Sequence, residues 1–247
     1  MSVSQKIWHK FEKLRLQPIR VFVFHHVSAE RDPLVCQEED WTQLDQFKQN
    51  IEKLRKQYSF ISLFEAYHKL QHNLFRFRRY AVLTTDDGLA SVLNVIPWLE
   101  KHQIPLTLFV NTRYMDGDKL KPFHKKWLHE LAPNANEKKI AEKMYLSKEQ
   151  IWALNSPYIE IGMHGHEHLN AQQIKEKQFE LDYEQCEEQL RNHPRYMNAY
   201  AYPWGKESWT SLCFLEQRGT IPIVLKGKCN YTFDRYIDRE CIDNIVL

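Results

Sequence analysis

The 247 residues, 43% hydrophobic and 27% charged, suffice for one medium-sized domain with a sheet or barrel core, and exclude a disordered or collagen-like chain. Thirty-four Lys plus Arg against thirty-two Asp plus Glu leave a net charge of +2, so no overall field recruits nucleic acid and specificity must reside in a local site. Five cysteines (Cys36, Cys186, Cys213, Cys229, Cys241), odd in number and without CxxC spacing, read as free thiols rather than a disulfide framework or a thiolate zinc knuckle.

The chain opens MSVSQKIWHKFEKLRLQPIR, where recurrent Lys and Arg interrupt any secretory apolar core. Apolar runs such as Val21–Phe24 fall far short of the roughly 18 residues of a membrane span. The expectation is a cytoplasmic protein. Within residues 1–19, Ile7, Trp8, Phe11 and Leu14 form an apolar stripe flanked by Lys6, Lys10, Lys13 and Arg15. Such a helix packs on the following domain, the commoner outcome, or lies in a membrane interface, which would make the protein membrane-peripheral. Apolar or alternating runs at about 20–25, 80–84, 105–111, 158–163, 196–202 and 220–225 predict strands, with a short seventh at Phe60-Ile61-Ser62. Apolar residues at helical spacing fall between them: Trp41, Leu44, Phe47, Ile51 and Leu54; Val92, Val95, Ile96 and Leu99; Ile174, Leu181 and Leu190. The alternation implies a mainly parallel sheet, open and doubly wound or, the form favoured here, closed as an imperfect barrel. The polar stretch 113–150 reads as a helical insertion or mobile excursion.

Unusual polar residues follow the predicted strands directly: His25-His26, Asp86-Asp87-Gly88, His164-Gly165-His166-Glu167-His168 and Pro203-Trp204-Gly205. Loops beyond the carboxyl ends of barrel strands share one mouth, so four separate segments would converge there. Adjacent side chains point apart on a strand, but a turn at Gly88 lets one aspartate coordinate an ion while the other stands beside it; the simpler alternative is a turn with a helix cap. The histidines share a face either on a strand or, the better reading, as His164 and His168 at i, i+4 on a helical turn. Two imidazoles with one carboxylate form a catalytic divalent-metal set with positions left open, and His166 reads as a loop residue rather than a ligand.

From about residue 20 to 240 the chain resembles the polysaccharide deacetylases, the carbohydrate esterases with a NodB-homology domain. Thr84-Thr85-Asp86-Asp87-Gly88 is similar to the family's T-F-D-D-G, with Thr85 in the aromatic position. His164 and His168 look like its histidine pair, with Gly165 where Ser or Thr is usual, and Ala201-Tyr202-Pro203-Trp204-Gly205 is similar to R-x-P-Y-G. Phe24-His25-His26-Val27 looks like the Y-H-x-V of many first strands.

The resemblance implies a distorted (β/α)7 barrel as the catalytic domain, residues 20–247, behind the 1–19 segment. It implies a metal-dependent hydrolase that removes N-acetyl groups from amino sugars of a glycan or glycan precursor. Asp87, His164 and His168 would hold a divalent ion, zinc first, with cobalt, nickel or manganese as alternatives. Asp86 would be the base, and the Trp204 backbone N–H, beside Tyr202, would face the oxyanion and substrate. Two departures stand out: no histidine follows His193, where the family carries its acid, and Ala201 replaces the family's Arg. Arg239 is the candidate to return a guanidinium to Asp86. His25 is the imidazole available as acid, with His26 expected to point away and a purely structural His25 as the alternative. A small non-sugar amide as substrate, or a degenerate member that binds glycan without hydrolysing it, are the competing functions.

Overall fold

The computed structural model describes residues 17–72 and 78–242, so most of the amphipathic 1–19 segment lies outside the described residues. Nearly continuous apolar runs form strands buried on both faces, as a parallel sheet requires. These are β1 (Ile19–Phe24), β2 (His26–Ser28), β3 (Trp41–Gln43), β4 (Ser59–Phe60), β5 (Tyr80–Thr85), β6 (Leu106–Val110), β7 (Ile159–Met163), β8 (Tyr196–Ala201), β9 (Ile221–Leu225) and β10 (Ile237–Cys241). β1, β5, β6, β7, β8, β9 and β10 pair in that order, all parallel, and β10 returns to β1, closing a seven-stranded barrel. Helices α1 (Leu44–Arg55), α2 (Leu63–Gln71), α3 (Ile96–Lys101), α4 (Pro122–Leu131), α5 (Glu137–Met144), α6 (Lys148–Ala153), α7 (Glu176–Leu190) and α8 (Trp209–Gln217) occupy the connections. No helix among the described residues is long and apolar enough to cross a membrane.

Six ring strands fall where the apolar runs predict them, but the seventh does not. Phe60-Ile61-Ser62 contributes only the two-residue β4, which pairs with the start of β5 outside the ring. The closing strand is β10, whose IDREC sequence hides a strand behind three charged residues. Its polarity has a cause: Arg239 is buried inside the mouth, and Asp238 accepts from the Lys226 and Lys228 backbone N–H groups.

Strand alternation separates two apolar layers. Phe22, Phe24, Leu83, Leu106, Leu108, Ile161, Met163, Tyr200 and Tyr202 pack outward with α1, α3 and α7. Val21, Val82, Phe109, Ala199, Ala201, Ile223 and Ile237 fill the interior, joined by Leu63, Ala66 and Leu70 of α2. Phe109 takes the space left by Gly162, where an added Cβ would stand 2.5 Å from its ring. Glu160 interrupts its apolar strand because α2 starts on it: the Leu63 and Phe64 N–H groups donate to its carboxylate at 2.9 and 3.1 Å, complementing the helix's positive end.

Trp41 lies in β3 rather than on α1, and Leu181 of α7 is exposed, the buried face being Phe179, Tyr183, Cys186 and Leu190. The polar 113–150 stretch folds as helices α4, α5 and the start of α6, with a small core from Tyr114, Leu128, Ile140, Met144 and Tyr145. It is tied to the mouth by the Leu146 N–H donating to Gly88 O at 2.8 Å.

Candidate active site

At the carboxyl ends of the strands lies a cleft of about 170 Å³, bordered by His25, His26, Asp86, Asp87, His164, His168, Trp204 and Arg239. The turn after β5 bends at Asp87 itself (φ 73) as well as at Gly88 (φ 64), which turns the two carboxylates apart. Of the four described non-glycine residues with positive φ, three border this cleft: Asp87, His168 (φ 59) and Trp204 (φ 61). Strain of this kind costs on the order of 1–3 kcal/mol per residue and persists where surrounding structure enforces it.

The histidines reach the cleft differently from the expected helical turn. Residues 164–170 form an irregular loop, and the following helix, α7, begins only at Glu176. Gly165 is required here: its φ is +78, and a Cβ would meet Asp182 Oδ2 at 2.6 Å and Tyr200 Oη at 3.0 Å, leaving no room for Ser or Thr. Asp182, on α7, clamps the loop by accepting from the N–H groups of His166 (3.0 Å) and Glu167 (2.7 Å). Asn111 Nδ2 donates to the carbonyls of His164 and Gly165. His166 turns to Thr112 Oγ1 at 2.8 Å, away from the cluster.

His164 is buried with Nδ1 2.8 Å from Ala201 O, a contact in which Nδ1–H donates and which turns Nε2 toward the cleft. That Nε2 lies 3.5 Å from Asp87 Oδ1, and His168 Nε2 lies 3.3 Å from the same oxygen. The ligand atoms of Asp87, His164 and His168 all fall within 4.8 Å of one another, the compact N, N, O set that a divalent ion needs. Burial pushes the His168 imidazolium down to about 3, so the ring is neutral and its lone pair available at neutral pH. Burial would raise the pKa of Asp87, but the Lys121 ammonium, together with hydrogen bonding from His164 and His168, holds it well below the carboxylate range.

Asp86 faces a different partner. Arg239 reaches past the intervening β1 and donates to both its oxygens, at 2.7 and 2.8 Å, and to Thr84 Oγ1 at 3.2 Å. The guanidinium carbon sits 5.4 Å from the Phe109 ring centroid, so the interior layer below supports it. Burial opposes ionisation of Asp86, yet the charge and hydrogen bonds of Arg239 bring its pKa down to about 2.

His25 and His26 both border the cleft; the expectation that His26 points away holds only in part, since its buried ring has Nδ1 3.4 Å from Ser91 Oγ. Trp204 is half exposed and meets the ring of His168 edge-on at 4.9 Å. Tyr202 is a correction: its side chain is fully buried in the outer layer, stacked on Phe179 at 6.0 Å, and does not line the cleft.

Sequence reasoning missed Asp40, Lys121, Phe123 and His124. Asp40 borders the cleft, with burial raising its pKa and His25 opposing that rise. Lys121 Nζ pairs with Asp87 Oδ1, and Phe123 packs against Trp204 at 4.9 Å and His168 at 5.8 Å. The last three sit in the lysine- and histidine-rich KPFHKK of the insertion, whose spacing carries no signal distinct from a solvated helix start.

Residues 77–220, more than half of the chain, match the family model for polysaccharide deacetylase. Among solved structures, IcaB from Ammonifex degensii is similar at 22% identity, with 92% of each chain covered and a TM-score of 0.71. Streptococcus pyogenes deacetylase PplD in complex with acetate is similar at 18%, covering 92% of each, with a TM-score of 0.67. A de-N-acetylase from Aggregatibacter actinomycetemcomitans is similar at 16%, covering 91% of this chain and 94% of that one, with a TM-score of 0.66. No curated protein matches the sequence. The structural likenesses establish the distorted (β/α)7 fold, and with the sequence match across β5 to β8 they lead to one assignment: the chain belongs to the polysaccharide deacetylase family.

Proposed function

We propose that the protein is a metal-dependent hydrolase that removes N-acetyl groups from amino sugars of a glycan or glycan precursor. The observation that carries this reading is the pairing of two unlike carboxylates on one turn: Asp87 within reach of two imidazole nitrogens, and Asp86 held ionised beside them by Arg239. The donor set fits a divalent ion, since His164 Nε2 is directed to the cleft by the Ala201 carbonyl on its other nitrogen and His168 is neutral. A zinc ion held by Asp87, His164 and His168, or cobalt, nickel or manganese in its place, would polarise an acetamide carbonyl and acidify water.

Asp86 accepts the proton of the attacking water at its carboxylate. Arg239 keeps that carboxylate charged and oriented. The Trp204 backbone N–H supplies an oxyanion donor, a contribution of about 3–4 kcal/mol where such donors have been removed singly in other hydrolases. His25, which borders the cleft, delivers a proton to the departing amine. Cleavage then balances as amide plus water giving acetate plus amine. Trp204 and Phe123 offer ring faces on which a pyranose can lie.

Acetate release from N-acetylated chito-oligosaccharides by zinc- or cobalt-loaded protein tests this reading. Release that stops with a chelator and returns with added metal is expected. Metal-loaded protein that hydrolyses small amides but no N-acetyl sugar would overturn the substrate assignment.

A further inference from the structure

Lys121 occupies an unusual place. Its side chain is fully buried, and its ammonium pairs with Asp87 Oδ1, the oxygen that also faces His164 Nε2 and His168 Nε2. The residue immediately precedes Pro122 at the start of α4, and its backbone N–H donates to Tyr145 Oη at 3.3 Å. The rings of Tyr114 and Tyr145 flank the ammonium, with centroids 5.7 and 5.6 Å away. Tyr145 is itself fixed by His124 Nδ1 at 2.7 Å, so the lysine is held in a built recess rather than laid over a surface.

Of the three aspartates bordering the cleft, two already carry a cation: Asp86 pairs with Arg239 and Asp87 with Lys121. A divalent ion on Asp87 would bring a second cation to an oxygen already paired with an ammonium. Removing water strengthens the repulsion between them, because charges in a poorly solvated site interact far more strongly than in bulk. Resting on the metal reading above, we propose that the Lys121 ammonium competes with the divalent ion for Asp87, stabilising the metal-free protein and weakening its hold on metal. Metal entry then requires the ammonium to leave Oδ1. The protein should be a weak metal binder for its ligand set, with loading governed by this exchange.

The test is the zinc and cobalt affinity of the wild type and Lys121→Met by competition with a chromophoric chelator, with Lys121→Gln as a polar variant if the first does not fold. Removing the ammonium should tighten binding about tenfold or more, and should enlarge the rise in Tm on adding zinc. Equal or weaker binding in the variants would overturn the competition while leaving the ligand set intact. Absence of binding in wild type and variants alike would overturn the proposed ion site and this inference with it.

Discussion

The two walls of the cleft hold their carboxylates by different means. One wall is rooted in the barrel: Asp86 directly follows β5, Arg239 lies within β10, and the Phe109 ring supports the guanidinium from inside. The other wall is assembled from loops: Asp87 on a strained turn, His164 and His168 on an irregular segment clamped by Asp182, and Lys121 from the insertion. A carboxylate gripped at both oxygens by a strand-borne, buried guanidinium suits a group that must stay ionised in one orientation. A loop-borne cluster can admit and release an ion, and it carries the strain.

The largest effect should come from the loop wall. His164→Ala with His168→Ala should abolish metal loading, from about one divalent ion per chain to none, because one carboxylate alone makes a poor site. Elemental analysis after loading and dialysis is the measurement, and full occupancy in the double variant would contradict the ligand assignment. The fold should survive, since the apolar layers lie below and outside the mouth.

Asp86→Asn, in the barrel wall, should keep the ion and lose about 10²–10⁴-fold in turnover, the usual worth of a general base. Turnover close to wild type would remove Asp86 from the chemistry.

Arg239→Met breaks the same wall as a matter of stability. It leaves a buried carboxylate without its cation, a loss typically of about 3–5 kcal/mol. The pH dependence has a definite sign. With Arg239 present the Asp86 pKa is depressed to about 2, so its stabilising contribution is present above the unfolded value near 4 and is lost as pH falls toward 2. The wild type's advantage over the variant should therefore be large at pH 7 and shrink at pH 4 and below, as read by urea unfolding. A gap that does not change with pH would contradict the assignment of Arg239 as the charge that holds Asp86.

The smallest expected effect concerns His25. His25→Ala should slow hydrolysis of an N-acetyl substrate about 10²-fold, and that of an activated acetate ester far less, because only the amine must leave protonated. Equal losses on both would indicate positioning rather than proton donation.

The barrel wall was the harder one to read from the sequence. Six strands showed as apolar runs, but β10 carries Asp238, Arg239 and Glu240 in a row, and a strand that delivers charges to a barrel mouth has no apolar signature. Chemistry located Arg239 where periodicity did not, because a base left without the family's Arg at position 201 calls for another cation. In the loop wall, Asp87, His164 and His168 stood out as motif residues, while their backbone course did not: i, i+4 spacing implied a helical turn, and the close approach of Asp182 to Gly165 imposed a loop instead. Lys121 carried no mark at all, since one lysine among many is singled out only by its burial.

The account turns on where a divalent ion sits. Crystals of the protein soaked with zinc and measured on both sides of the zinc absorption edge would locate it directly. The account predicts a single strong anomalous peak at about 2.0–2.2 Å from Asp87 Oδ1, His164 Nε2 and His168 Nε2, with the Lys121 ammonium withdrawn from Oδ1. A peak at other residues, or no peak while Lys121 remains on Asp87, would contradict it.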